Sequence, residues 1–126
     1  ELSVGELLDK ISILQIKVER INDSSKLENI KKELSVLLSL WEGSVYVNHD
    51  LESEKNKLKL VNEELWDIED KIREKEREQV FDKEFIELAR SVYITNDKRA
   101  DIKKTINKKT GSELVEEKSY SDYSTE

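Results

Sequence analysis

"RSVYITNDKRADIKKTIN", residues 90–107, decides the fold. It contains neither proline nor glycine. Its apolar positions extend backwards into a stripe of Phe85, Leu88, Val92, Thr95, Arg99, Ile102 and Ile106, with steps of three and four in strict alternation. That is the 3.5-residue repeat of helices packed side by side. The stripe is apolar at its start and polar at its end. With Phe85 at zero on a wheel of 100° per residue, Arg99 falls at about −40°, Lys103 at about 0°, Asn96 at about +20° and Asn107 at about +40°. An arginine and a lysine therefore occupy positions that should face a core.

The rest of the chain repeats the pattern three times. A first helix, about 3–21, opens on Ser3 and Glu6 with capping-box spacing and is striped by Leu7, Ile11, Leu14, Val18 and Ile21. The stretch "NDSS" breaks it. Ser25 and Glu28 repeat the capping-box spacing at the start of a second helix, about 25–42, striped by Leu27, Ile30, Leu34, Leu37 and Trp41 and stopped at Gly43. Asp50 is placed to cap a third helix, about 50–78, with Leu51, Leu58, Val61, Leu65, Ile68 and Ile72. Asp82 is placed to cap the fourth, about 82–110, which Gly111 ends. Four such runs with short connections predict an all-α antiparallel bundle, a long hairpin packed with a shorter one. Residues 1–111 form one domain on this reading, and 112–126 an acidic tail, loose beyond Tyr120. On the first helix Ile13 and Ile16 lie off the main stripe. That helix is either central to the bundle or part of a homodimer interface.

Composition narrows the function classes. The chain has 126 residues, 40% of them charged, with a net charge of −7 and no proline, cysteine or methionine. The absence of cysteine removes disulfides, thiolate metal sites and cysteine nucleophiles, and agrees with a reducing, cytoplasmic setting. No apolar run approaches the roughly 20 residues of a membrane span, and no signal peptide opens the chain. With no initiating methionine, Glu1 is not taken as the true N-terminus. An acidic surface disfavours nucleic acid and anionic membranes as partners. The charge is uneven: residues 96–109 carry six cations against two acids, and residues 112–126 carry five acids against Lys118.

Three readings fit the polar core face. The cations can bury their stems and wet their heads where the fourth helix outruns its neighbours, close to the negative end of its dipole. They can line a pocket for an anionic small molecule, formed by Lys10, Lys17, Asn62, Trp66, Glu69, Arg73, Asn96, Arg99, Lys103 and Asn107, with Trp66 and Tyr93 as flat walls. Or they can form a surface for an acidic protein partner. A hairpin turning near residue 80 pairs positions that sum to about 160, setting Arg99 opposite Val61 and Asn96 opposite Glu64.

No signature names a reaction, and no cofactor or metal is expected. His49 is the only histidine and stands in a connection. The pairs Glu64, Asp67 and Glu84, Glu87 loosely resemble the magnesium-holding acidic motifs of all-α nucleotide pyrophosphohydrolases, in a chain whose 29 acids make such spacing easy to meet by chance. A metal-free enzyme acting on a small anion by electrostatic preorganisation is a further alternative to a binding module.

Four blocks carry a family resemblance: "VGELLDKISILQIKVERI", "VNEELWDIEDKIRE", "ELARSVYITNDKRADIKKTIN" and "EEKSY". Together they resemble an uncharacterised family of small all-α proteins from bacteria and phages. The resemblance runs through Asp9, Lys10, Lys17, Asn62, Trp66, Glu69, Arg73, Arg90, Asn96, Arg99, Lys103, Asn107, Glu117, Lys118 and Tyr120. It implies an all-α fold and no assigned activity, in a setting of cell-surface polysaccharide synthesis. It also implies that "EEKSY" folds back onto the bundle.

Overall fold

A computed structural model describes residues 2–111. The expected acidic tail and the fold-back of "EEKSY" lie outside the described residues. Among the described residues there are four helices: α1 (Val4–Arg20), α2 (Ser24–Glu42), α3 (Glu52–Glu78) and α4 (Lys83–Thr110). The all-α hairpin-on-hairpin architecture is as the heptad spacing predicts.

The helix ends follow local chemistry, with differences. Ser3 caps α1 and its hydroxyl accepts from the Glu6 amide at 3.1 Å. The Glu6 carboxylate completes no capping box, because it faces Lys103 at 2.9 Å instead. Asp23, rather than Ser25, caps α2, accepting from the amides of Ser25 and Lys26. A carboxylate two residues upstream reaches both free amides, which a serine inside the first turn does not. α3 begins one residue after Leu51 with no side-chain cap, so Asp50 does not play the expected part. Asp82 does cap α4, accepting from the Phe85 amide at 2.9 Å. Gly111 ends α4 at φ +69°, the left-handed geometry that glycine adopts at least cost.

Helix α1 is central. It packs against all three other helices, whereas among the described helices α2 packs closely only against α1. That places Ile16 inside the fold, 1% exposed, and Ile13 half-buried. The apolar core gathers Val4, Leu7, Leu8 and Ile11 of α1 with Trp41, Leu51, Leu58 and Ile106. Burying each such side chain contributes about 1.5–3 kcal/mol relative to exposure. The core occupies one end of the molecule. In α3 after Asn62, and in α4 before Thr95, no residue is fully buried. At 1.5 Å per residue α1 is about 25 Å long and α3 about 40 Å. The turn end of the α3–α4 hairpin thus extends past the helix that covers its base. It is closed there by Lys75, which pairs with Asp82 at 2.9 Å and Glu84 at 3.3 Å.

Candidate functional site

The polar stripe of α4 lies against α1, and this explains its residue types. α1 runs antiparallel to α4, and three contacts step along the pair. Near the start of α1, the Gly5 amide donates to Asn107 Oδ1 at 2.7 Å, so a side chain of α4 satisfies one of the free N-terminal amides of α1. A Cβ on Gly5 would stand 2.7 Å from the Lys103 carbonyl oxygen, so only glycine lets the helices approach this closely. Next, Lys103 Nζ meets Glu6 Oε2 at 2.9 Å and Asp9 Oδ2 at 3.6 Å. Then the Arg99 guanidinium grips Asp9 with a fork: Nε donates to both carboxylate oxygens at 3.1 and 3.0 Å, and Nη2 donates to Oδ2 at 2.7 Å.

Asp9 is the hub. Only 1% of it is exposed, and a bare carboxylate there would be costly. Besides Arg99 it accepts from Asn62 Nδ2 at 2.9 Å, and the same amide nitrogen donates to Ser12 Oγ at 3.2 Å. One carboxylate therefore ties α1 to both α3 and α4 through charge-assisted hydrogen bonds. The inner face of α4 is not a wet helix end: Lys103 is 4% exposed and matched by acids on α1. Asp97, Lys103 and Lys104 each take part in further polar or ionic contacts.

Beside this network lies a solvent-open cleft of about 490 Å³ between α1, α3 and α4. Seven of the ten candidate residues line it: Lys17 from α1, Asn62, Trp66, Glu69 and Arg73 from α3, and Asn96 and Arg99 from α4. Ile13, Ile16 and Leu65 form its apolar floor, and Asp70 adds a carboxylate to the rim. The other three lie elsewhere. Lys10 is exposed and outside the cleft, while Lys103 and Asn107 are buried in the α1–α4 contact. Tyr93, taken as a possible wall, is 69% exposed and does not line the cleft.

The cleft has an electrostatic order. Arg99 at its inner end is already neutralised by Asp9, and its Nη1 reaches Asn96 Oδ1 at 3.4 Å. Lys17 makes no ion pair among the described residues, and Arg73 has only a loose 4.0 Å contact with Glu69. Both remain available to an incoming anion. Trp66 is held at the edge by Arg20, whose guanidinium carbon lies 5.8 Å from the ring centroid and whose Nη1 meets Asp67 Oδ1 at 2.6 Å. The Asp67 hydrogen bond raises the Arg20 pKa further, so this clamp keeps its charge.

The residues that sequence reasoning missed are Asp9, Glu6 and Ser12. Asp9 was within the matched blocks but stands two residues from the apolar stripe of α1, where a carboxylate ordinarily faces water. Only the position of α4 shows that it does not. The acid pairs are scattered: Asp67 pairs with Arg20, Glu84 with Lys75 and Glu87 with Lys83. Among the described residues no group of three or more His, Cys, Asp or Glu could hold a metal ion.

An all-α bundle with a buried carboxylate hub and an adjoining polar cleft defines a class of protein but no reaction. The chain belongs to a family of unknown function (DUF6165), whose model matches residues 1–125. Neither a curated protein nor a solved structure matches it. Among the described residues no helix is long and apolar enough to cross a membrane.

Proposed function

We propose that the chain is a small helical binding module whose α1–α3–α4 cleft takes an anionic small molecule. The observation that carries this reading is the convergence of Lys17, Arg73, Asn62, Asn96 and Trp66, from three helices, on one open cleft. Lys17 and Arg73 supply charge for a phosphate or carboxylate. The amides of Asn62 and Asn96 supply donors and acceptors. Trp66 offers a flat apolar wall to a ring. Arg99 sets the inner wall and, being held by Asp9, does not contribute a free charge. The open mouth and the prior pairing of Arg99 favour binding over metal-free catalysis, which needs a site that excludes water. The setting in this reading is the bacterial cytoplasm, beside the synthesis of surface polysaccharides, as the resemblance implies.

The test is a thermal-shift screen of the whole chain against nucleotides, sugar nucleotides, sugar phosphates and small dicarboxylates, with and without magnesium. A ligand at a hundred times its Kd stabilises the native state by about 2.7 kcal/mol, a shift easily resolved. The expected result is stabilisation by one class of anion, lost in a Lys17→Ala, Arg73→Ala double variant that leaves the unliganded melting temperature unchanged. Stabilisation by none of the compounds would overturn the reading and favour an acidic protein partner.

A further inference from the structure

We propose that the ligand of the α1–α3–α4 cleft is a hydroxylated ring carrying one anionic group, the chemistry of a sugar phosphate, rather than a simple inorganic anion or dicarboxylate. The inference rests on the anion-binding reading above and narrows it. It follows from the hydrogen-bonding groups that the fold leaves free in the cleft.

Asn62 is committed in one direction. Its amide nitrogen donates to Asp9 Oδ1 at 2.9 Å and to Ser12 Oγ at 3.2 Å, which uses both of its hydrogens. Its side-chain oxygen accepts no hydrogen bond among the described residues and is not sealed from solvent, so Asn62 offers the cleft an acceptor. Asn96 is the reverse case. Its Oδ1 receives Arg99 Nη1 at 3.4 Å, which leaves the amide nitrogen to donate. Glu69 and Asp70 add two carboxylates, which only accept. Asp70 makes no ion pair among the described residues, and the contact of Glu69 with Arg73 is a loose 4.0 Å. Asn62, Glu69 and Asp70 therefore need donors from the ligand. Inorganic phosphate and small dicarboxylates bring acceptors almost alone.

Charge gives the same answer. Glu69 and Asp70 offset Lys17 and Arg73, and Asp9 offsets Arg99. A polyanion drawn to the two cations meets two carboxylates in the same cleft, where like charges repel. One anionic group on the cations, with neutral hydroxyls on the carboxylates, satisfies both sets. An ammonium on the ligand would also suit the carboxylates, but it would stand among Lys17, Arg73 and Arg99. Trp66 suits the ring. Arg20 covers one side of the indole at 5.8 Å, and Asp70 lies one helical turn beyond Trp66 on the same face of α3. An electron-rich indole face attracts the weakly positive C–H face of a saturated ring. The cleft volume of about 490 Å³ falls in the range of small-molecule sites.

Isothermal titration calorimetry of the whole chain tests this with glucose 1-phosphate, uridine monophosphate and cyclohexyl phosphate. The first two are hydroxylated-ring phosphates from different sources, a free sugar and a nucleotide. The third carries the same anionic group on a ring without hydroxyls. At least one of the first two is expected to bind roughly tenfold or more tighter than cyclohexyl phosphate, and the tighter one names the source. A Glu69→Gln, Asp70→Asn double variant supplies a sign. It should weaken the hydroxylated ligand, which loses charged acceptors, and strengthen cyclohexyl phosphate, which loses repulsion. Cyclohexyl phosphate binding as tightly as the other two would overturn the inference. So would a hydroxylated phosphate that gains affinity in the double variant, or binding by none of the three. The Lys17→Ala, Arg73→Ala variant separates the two levels. Binding that it abolishes, but that ignores hydroxyls, leaves the anion cleft standing and removes this inference alone. Binding that it leaves intact would remove the anion reading as well.

Discussion

Asp9 shows how one buried carboxylate organises the molecule. It has three cationic or amide neighbours, from two helices, and no route to water. Arg99→Ala removes the forked partner, leaving Asp9 to Lys103 and Asn62. Breaking a buried pair costs about 3–5 kcal/mol, and the remaining partners place this case near 3, read from urea unfolding. Arg99→Lys should recover little, because a single ammonium does not reproduce the fork. Gly5→Ala gains about 1 kcal/mol of helix propensity, yet the account of contacts at Lys103 and Asn107 requires a net loss of about 1–3 kcal/mol from overpacking. A variant as stable as the parent would show that α1 and α4 are not so close. The sequence made Arg99, Lys103, Asn96 and Asn107 conspicuous, since polar residues on an apolar stripe break the pattern. It hid Asp9, because an acid beside a stripe breaks none.

The α3–α4 hairpin rests on end effects at the scale of the element. Asp82 accepts from the Phe85 amide and pairs with Lys75; the Lys75 hydrogen bond, first, and the Phe85 amide, second, hold the Asp82 carboxyl below its usual range. A carboxyl depressed in the folded state contributes stability above its unfolded pKa and loses it as pH falls through the folded one. Unfolding midpoints should therefore drop below about pH 4, and Asp82→Asn should flatten part of that drop while keeping a cap. An unchanged pH profile in Asp82→Asn would remove Asp82 from this role. The heptad spacing located all four helices and both glycine stops. It misassigned the caps of α2 and α3, since Asp23 and Ser25 are both competent and only backbone geometry selects between them.

At the scale of the whole molecule, the long hairpin carries a shorter helix pair at one end, and the cleft opens where α1 runs out along α3 and α4. Seven cleft residues were legible because they share helix faces in a known register. Lys10, Lys103 and Asn107 were grouped with them but do not line the cleft, because a wheel gives direction around a helix but not which neighbour lies there. Trp41 and Trp66 are the two tryptophans, and only Trp66 lines the cleft. In a Trp41→Phe chain, Trp66 is the sole tryptophan reporter. The decisive measurement is its fluorescence during titration with the anion that gives the largest thermal shift, or with uridine diphosphate, glucose 1-phosphate and citrate in turn if none does. A saturable change in emission, abolished by Lys17→Ala with Arg73→Ala, is the expected result. Emission that stays flat with every anion, or that responds identically in the double variant, would contradict an anion site in this cleft.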